Sequence, residues 1–349
     1  MSAVVLRGDH IIAQGVAGVR RKGSPELVTL DDQFEICSCG KAMTATLVAM
    51  VVEEGKLNWD TPLSEIFADS EQPIDPAWKQ ATLWQVLTHR AGLRDHLVRF
   101  LASTFFDSGD FTARRRRFAE KLLRHPPSSP PGSTFVYSNA DYIVATAAIE
   151  KVTGRAWEDL MRERLFAPLG ITTGGFGPPG TPGRVDEPWG HGRRPLIYFD
   201  RFGKGDAPFD PGSSSADVPL VWAPVGLVHM SAPDWAKFVA WHLRGDRANP
   251  QQKASLLTSE TFARLHEAAI GEEYAGGWLV GTRPWAKGAR PGDTGRVLFH
   301  VGDNGRWNCV VWIAPEIDFA IVIACNRTHM WSALDEAAGV LLRTFAERK

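Results

Sequence analysis

The chain has 349 residues, of which 44% are hydrophobic and 23% charged, enough to bury one large core or two ordinary ones. Its formal net charge of -1 excludes the strongly basic surface that binds nucleic acids or anionic membranes. No apolar run approaches the length of a membrane span, and residues 1–7 reach a charge too early for a signal peptide. We therefore expect a cytoplasmic protein.

The first half of the chain predicts a hairpin followed by helices. Residues 4–7 and 11–16 are strand-like and flank Gly8-Asp9. A short strand over 33–36 leads into residues 42–52, which are apolar nearly all round and predict a buried helix ending near Gly55. Further helices are predicted over residues 61–67, 82–92, 111–124, 142–152 and 157–165. The arginines at 114–117 are interpreted as a solvated helix face.

The second half changes character. Residues 172–221 are rich in Gly, Pro, Asp and Ser and predict a long loop that forms a site wall. A helix over 235–243, strands over 297–300, 310–313 and 319–324, and a helix over 334–347 follow. The short connections between the late strands favour an antiparallel sheet.

These patterns predict one α+β domain over residues 1–349. Its antiparallel sheet is built from N- and C-terminal strands and flanked by helices. We expect a sheet lobe from about 1–60 and 225–349, with an inserted, mainly helical lobe and the long loop over about 61–224.

The four cysteines, Cys37, Cys39, Cys309 and Cys325, are interpreted as buried free thiols. The Cys37-x-Cys39 spacing is wrong for a zinc clip, and no histidine pair complements it. We therefore expect neither a metal nor another cofactor.

Ser38 precedes Lys41 by three residues at the start of the apolar helix. Residues three apart share a helix face, so the Lys41 nitrogen reaches the Ser38 hydroxyl, and a neighbouring base makes a serine nucleophilic. Ser-x-x-Lys alone occurs by chance in many chains. Ile36 excludes the Gly-x-Ser-x-Gly nucleophile elbow, and Ala42 after Lys41 excludes a phosphate-binding loop.

Two further motifs accompany this one. Tyr137-Ser138-Asn139 follows a Pro/Gly-rich break and precedes a helix, which places a phenol and a carboxamide on one tight loop. His300-Val301-Gly302 lies on a predicted strand, where alternation puts His300 and Gly302 on the same face. Glycine at position 302 permits close approach of a substrate backbone.

In this order, Ser-x-x-Lys, Tyr-x-Asn and His-x-Gly resemble the serine β-lactamase and penicillin-binding superfamily, and above all its class C-like branch. That branch includes D-alanyl-D-alanine carboxypeptidases and esterases with a β-lactamase fold. The resemblance covers essentially residues 3–347, with family-like stretches at 87–93, 137–142, 223–228, 276–278 and 300–304. It implies a class C β-lactamase-like fold and a hydrolase that works through an acyl-enzyme.

The resemblance implies three catalytic residues. Ser38 would be the nucleophile that carries the acyl group. Lys41 and Tyr137 would act as one coupled acid–base system that takes the serine proton and later protonates the leaving group.

The resemblance also implies four substrate-binding residues. Asn139 would hold the Lys41 ammonium or the substrate amide, and His300 would line one wall and orient the substrate carbonyl. Gly302 would let the substrate approach, and the N–H of Asp303 would join that of Ser38 in an oxyanion hole.

The third motif departs from the Lys-Thr-Gly of many β-lactamases, because His300 stands in place of the lysine and Asp293-Thr294-Gly295 is a decoy. A mostly neutral imidazole holds a substrate carboxylate less well than a lysine, and Arg306 is the candidate that would compensate. Four aromatic residues fit either a pocket wall that suits acyl or aryl esters or the core: Trp189, Tyr198, Trp222 and Trp307.

The first function predicted is hydrolysis of carboxylic esters of small acyl or aryl substrates. A β-lactamase or a D-amino-acid peptidase (DD-carboxypeptidase) is the enzyme alternative, and a catalytically silent binding domain is the alternative of another class. The expected partner is a small-molecule ester or amide, with no nucleic acid and no membrane. The sequence leaves the oligomeric state open.

Overall fold

The computed structural model describes residues 1–93, 110–193, 206–214, 216, 219–245, 256–268 and 273–346. The strands are β1 (Ser2–Arg7), β2 (His10–Val16), β3 (Gln33–Glu35), β4 (Gly175–Phe176), β5 (Gly190–Gly192), β6 (Ala207–Phe209), β7 (Val228–Ser231), β8 (Leu279–Thr282), β9 (Arg296–Asp303), β10 (Asn308–Ala314) and β11 (Phe319–Cys325). The helices are α1 (Lys41–Glu53), α2 (Leu63–Ile66), α3 (Leu83–Leu87), α4 (Phe111–Leu123), α5 (Asn139–Thr153), α6 (Trp157–Met161), α7 (Ala167–Leu169), α8 (Ala223–Gly226), α9 (Ala232–Gly245), α10 (Ser259–His266) and α11 (Trp331–Phe345).

A six-stranded antiparallel sheet in the order β2-β1-β11-β10-β9-β8 unites the two ends of the chain. The predicted N-terminal hairpin, the three late strands and their antiparallel pairing are confirmed. Strand β8 pairs with β9 only as far as Phe299, so residues 300–303 of β9 extend past its end. This part of β9 carries the predicted His-x-Gly motif.

Alternation along β1 divides the core into two layers. Val4 and Leu6 belong to the main core, which also contains α1, α5 and α9, whereas Val5 belongs to a smaller cluster under α11. Helix α1 lies inside the main core and is buried from Lys41 to Val51. The apolar pattern on all sides of this segment therefore predicted correctly both that it is a helix and that the helix is buried.

The predicted short strand over 33–36 is confirmed as β3, but it pairs with β7 in a separate sheet of order β3-β7-β4. The helix predicted over 82–92 is shorter in the structure. It begins after a capping box at Thr82, as predicted, but α3 ends at Leu87. The stretch predicted as a loop over 172–221 contains β4, β5 and β6 in its described part. These strands are only two or three residues long, too short for an alternating pattern to show in the sequence.

The arginine run is not simply a solvated helix face. Arg115 is fully buried and donates hydrogen bonds to Glu150 at 2.5 Å and Glu158 at 2.8 Å. Two carboxylates offset the cost of burying a guanidinium. Arg116 is partly exposed and lies 2.8 Å from the buried carboxylate of Glu120, one helical turn away.

The helix predicted over 157–165 continues as a π-helical turn, Arg162–Phe166, into α7. Among the described helices, none combines the length and apolar character needed to cross a bilayer.

Candidate active site

Ser38 lies in a 3₁₀ turn, Cys37–Gly40, that runs directly into α1. In a 3₁₀ helix residues three apart eclipse each other, so this turn aligns Ser38 with Lys41. Cys37 has φ of 46°, a left-handed conformation that non-glycine residues adopt rarely and at a cost. Ser38 is partly exposed, whereas its neighbours Cys37 and Cys39 are buried.

Lys41 is fully buried, and three acceptors surround its nitrogen. The Nζ atom lies 3.0 Å from Ser38 Oγ, 2.9 Å from Asn139 Oδ1 and 2.9 Å from the backbone oxygen of Val225 in α8. The structure thus brings Ser38, Lys41 and Asn139 together. Val225 lies in the family-like stretch 223–228, but the sequence did not indicate its role, because it contributes a backbone carbonyl and no characteristic side chain.

Tyr137 lies just before α5, and Asn139 is the first residue of that helix. The Tyr137 ring centroid lies 5.1 Å from Lys41 Nζ, and the ring of the buried Tyr142 lies 5.7 Å away. Both distances are within the range of a cation–π contact. Tyr137 is 36% exposed, so it faces the lysine on one side and solvent on the other.

His300 is buried on β9 and uses both ring nitrogens within the protein. Its Nδ1 lies 2.7 Å from the carbonyl oxygen of Val301, an obligate acceptor, so the proton is on Nδ1. Its Nε2 accepts a hydrogen bond from Tyr274 Oη at 3.1 Å. Burial and the nearby Lys41 charge lower the pKa of His300 to about 3, which keeps the ring neutral. The ring is a wall of the site with no spare donor for a substrate carbonyl.

Gly302 is placed differently from the sequence interpretation. A methyl group on Gly302 would lie 2.6 Å from Cys37 Cβ and 3.0 Å from the Ser38 backbone nitrogen. The glycine therefore makes room for the protein's own turn Cys37–Gly40, a neighbour that the sequence did not identify. It brings the end of β9 against Ser38.

Asp303 ends β9 beside this turn. Its carboxylate accepts hydrogen bonds from Thr328 Oγ1 at 2.7 Å, the Gly305 N–H at 2.7 Å and the His329 N–H at 3.0 Å. These bonds fix the β9–β10 hairpin to the segment after β11, and so fix the Asp303 backbone near Ser38.

The four free cysteines are buried, as predicted. The sulfur atoms of Cys39, in the turn that carries Ser38, and of Cys309 on β10 lie 3.5 Å apart. Burial raises the pKa of the Cys309 thiol well above its usual value, so this thiol is an unreactive packing group.

Other residues singled out in the sequence contact protein groups of their own. The Arg306 guanidinium stacks on Phe209 at 3.7 Å and donates to the carbonyl oxygen of Gly305. Residues 293–295, which resemble the Lys-Thr-Gly motif only in sequence, form a loop whose Thr294 and Gly295 N–H groups donate to Glu316. Three of the four aromatic candidates pack on protein side chains, namely Trp307 on Phe34, Trp222 on Phe118 and Trp189 under Arg21. The fourth, Tyr198, lies outside the described residues.

Sequence reasoning missed Tyr274, although it stands two residues before the family-like Gly276-Gly277-Trp278 stretch. Its phenol is buried, and burial raises its pKa well above 10, so it donates to His300 as a neutral group. An aromatic residue next to a glycine pair was the available signal.

A family model described as Beta-lactamase matches residues 1–344. The chain belongs to the beta-lactamase family. Its α+β fold matches that of solved members. One is the D-amino acid amidase from Ochrobactrum anthropi SV3, complexed with D-phenylalanine. It superposes with a TM-score of 0.73 at 20% identity, covering 100% of this chain and 94% of the amidase. The predicted superfamily and fold are confirmed.

Two relatives in the beta-lactamase family indicate the range of activities. Penicillin-binding protein 4 of Amycolatopsis lactamdurans is 26% identical over 270 residues, covering 77% of this chain and 65% of the relative. Lovastatin esterase of Penicillium rubens is 30% identical over 196 residues, 50% of this chain and 49% of the relative. The matches thus span about half to two thirds of these curated relatives. The family is of the serine-hydrolase type, with named members acting on esters and on amides.

Proposed function

We propose that this chain is a serine hydrolase that cleaves carboxylic esters of small, uncharged acyl or aryl groups through an acyl-Ser38 intermediate. One observation carries the proposal: the buried Lys41 Nζ lies 3.0 Å from the partly exposed Ser38 Oγ. A serine needs a base beside it to become nucleophilic, and the Lys41 amine is within hydrogen-bond distance of the Ser38 hydroxyl.

The acceptors around Lys41 support its role as the base. A neutral amine has two N–H donors and one lone pair, whereas an ammonium has three donors. Asn139 Oδ1 and the Val225 carbonyl oxygen accept two hydrogen bonds and donate none. Lys41 Nζ donates to Ser38 Oγ in the structure, and once it gives up that proton the two remaining N–H groups stay on Asn139 and Val225 while the lone pair faces the Ser38 hydroxyl and can receive its proton.

Tyr137 suits the second proton transfer, because its ring faces Lys41 and its other side faces solvent. Attack of Ser38 Oγ on the ester carbonyl forms a tetrahedral oxyanion, which the N–H groups of Ser38 and Asp303 would stabilise. Collapse of this intermediate breaks the ester bond. The proton taken from Ser38 goes to the leaving alcohol through Lys41 and Tyr137. Water then attacks the acyl-enzyme by the same route and releases the carboxylic acid.

The wall formed by His300 supports an uncharged acyl group. A substrate carboxylate is held best by a permanent cation, and charge-assisted hydrogen bonds are roughly twice as strong as neutral ones. Here the ring is neutral, and its Nε2 is engaged with Tyr274. Arg306 is the other cation considered for a substrate carboxylate. Its guanidinium stacks on the ring of Phe209.

A second candidate is hydrolysis of amides or peptides of D-amino acids, which is favoured by the similarity to D-aminopeptidase of Brucella anthropi, 30% identical over 173 residues that cover 48% of this chain and 31% of the relative. The same acyl-enzyme chemistry serves both bonds, with an amine in place of an alcohol as leaving group. A silent binding domain would not need Lys41 to be hydrogen-bonded to both Ser38 and Asn139.

A rate panel tests the proposal. Purified protein is assayed with a short p-nitrophenyl ester, the unactivated ethyl ester of the same acid, a chromogenic cephalosporin, D-phenylalanine amide and a D-Ala-D-Ala peptide. We expect kcat/KM for the p-nitrophenyl ester to exceed that for the cephalosporin by at least about tenfold, or roughly 1.4 kcal/mol. The ethyl ester, which is not activated, should also be cleaved, and Ser38→Ala should abolish every activity. A D-peptide or cephalosporin cleaved faster than the ethyl ester would replace the ester assignment.

A further inference from the structure

His89 is a buried, titratable residue with no role in the chemistry proposed above. It lies in the family-like stretch 87–93, after α3, and is fully buried. Its φ of 58° is left-handed, a conformation that costs energy for a residue other than glycine. Its Nε2 is buried without a hydrogen-bond partner among the described residues. An apolar residue would fill the space without that penalty, so the imidazole needs another explanation.

The contacts of His89 converge on the loop that carries Tyr137, residues 128–138. The two rings have centroids 4.4 Å apart. The Val136 N–H donates to the His89 carbonyl oxygen at 2.8 Å, and the Ser138 N–H points at His89 Nδ1 from 3.3 Å. Contacts thus reach the residues on both sides of Tyr137 as well as its ring.

The same imidazole is tied to the helix that begins with Asn139. His89 Nδ1 lies 2.5 Å from Oδ2 of the buried Asp141, so the two side chains are hydrogen-bonded. Asp141 stands two residues after Asn139 in the first turn of α5. His89 therefore joins the loop bearing the phenol to the helix bearing the amide that holds Lys41.

We infer that His89, anchored by Asp141, is a positioning residue that holds the Tyr137 phenol against Lys41. This inference rests on the proposed function, since it concerns the proton transfer through Tyr137. Tyr137 is 36% exposed, and a side chain open to solvent on one side needs a rigid support on the other. The His89 ring supplies that support, and the bond to Asp141 fixes its orientation.

The test is a double-mutant cycle with His89→Asn and Tyr137→Phe. Asparagine tolerates the left-handed backbone and keeps a donor for Asp141, but it lacks the ring that contacts Tyr137. We expect His89→Asn to lower kcat on the p-nitrophenyl ester by on the order of 10- to 100-fold with KM nearly unchanged. In the Tyr137→Phe background the same change should cost less than about threefold, because the group being positioned is gone.

A matched control is His242→Asn, which changes an equally buried histidine that pairs with His266 at 2.8 Å and lies away from Tyr137. Its effect on kcat should be equal in both backgrounds. If His89→Asn does not fold, Asp141→Asn removes the anchor while keeping the ring, and it should give the same coupling to Tyr137→Phe with a smaller loss. Equal losses in both backgrounds for His89→Asn or Asp141→Asn would overturn the inference.

The rate of covalent labelling of Ser38 by a fluorophosphonate separates this inference from the proposed function. An unaltered protein with neither labelling of Ser38 nor ester hydrolysis would contradict the proposed function. If the unaltered protein is labelled and hydrolyses the ester, and if His89→Asn and Asp141→Asn have the same kcat as the unaltered protein, only the role of His89 is contradicted.

Discussion

Gly277 lies so close to Ala42 that a methyl group on Gly277 would sit 2.5 Å from Ala42 Cα and 2.9 Å from the carbonyl carbon of Lys41. Its φ of 84° is also one that an alanine rarely adopts. The segment before β8 therefore fixes the start of α1, and with it the lysine of the site.

Gly277→Ala should therefore reduce both stability and activity. Overpacking against backbone costs about 1–3 kcal/mol, so we expect the free energy of unfolding in urea to fall by that amount. The rate of Ser38 labelling should fall as well, since the start of α1 must move. Gly281→Ala is the control, because the nearest atom to its added methyl group is 3.6 Å away. Equal behaviour of the two variants would show that the contact at Gly277 is unimportant.

Ser38 is predicted to be the nucleophile. A fluorophosphonate or penicillin probe should add one acyl or phosphonyl group to Ser38, which intact-mass spectrometry and peptide mapping will locate. Ser38→Ala should show no adduct. Labelling of another serine, or labelling that persists in the variant, would refute the assignment.

Lys41 and Tyr137 should act as a unit. Lys41→Ala and Tyr137→Phe should each lower kcat on the order of 10²–10⁴-fold, while the double variant is hardly worse than either. Tyr142→Phe is a fair control, since that ring also lies within 5.7 Å of Lys41 Nζ but its hydroxyl donates to the Leu87 carbonyl oxygen. Multiplied losses in the double variant would mean that Lys41 and Tyr137 serve separate steps.

His300 should set the preference for uncharged substrates. His300→Lys introduces a cation where the family's Lys-Thr-Gly motif has one, so kcat/KM for the cephalosporin should rise relative to the ester. His300→Gln removes the ring without adding charge and should leave that ratio within about threefold of the unaltered protein. An unchanged ratio in the lysine variant would mean that the substrate carboxylate does not approach residue 300.

The same histidine should make the protein sensitive to acid. In the unfolded chain His300 takes up a proton below its ordinary pKa of about 6.5, whereas in the folded protein burial and Lys41 hold the pKa at about 3. Its stabilising contribution is therefore complete above pH 6.5 and is lost as the pH falls toward 3, by about 1.4 kcal/mol per pH unit.

Urea unfolding at pH 4 to 8 measures this slope in the unaltered protein and in His300→Gln. Because the other buried histidines are present in both, they cancel in the comparison. We expect the variant to have the smaller slope below pH 6.5 and an unchanged slope above it. Identical slopes would show that His300 is protonated in the folded state.

The sequence predicted those features that leave a side-chain pattern. The alternation in β1, the apolar run of α1 and the order of the three motifs were enough for the fold and for the residues that meet at Ser38. Contacts made by the backbone left no such pattern. The Val225 carbonyl oxygen that binds Lys41, 184 positions along the chain, is one example. The space at Gly302 is another, since a glycine signals a close approach but not the identity of its neighbour.

The prediction that the arginines at 114–117 form a solvated helix face was incomplete for a related reason. Periodicity assigns Arg115 to a helix but does not show whether its side chain is buried. Arg115 is buried because the fold places Glu150 and Glu158 beside its guanidinium, which the sequence does not show. Likewise Tyr274 and His300 are 26 positions apart, and their hydrogen bond depends on the pairing of β8 with β9.

The pairing of β1 with β11 has a consequence for the order of events during synthesis. Strand β1 pairs along its whole length with β11, from Ser2 opposite Ala324 to Arg7 opposite Phe319. At 5–20 residues per second, a ribosome needs on the order of tens of seconds after making the first strand to make the last. Throughout that time the apolar surface of α1 lacks its sheet. We expect the nascent chain to bind chaperones until translation passes β11, and the arrangement of Lys41 and Asn139 around Ser38 to form only then.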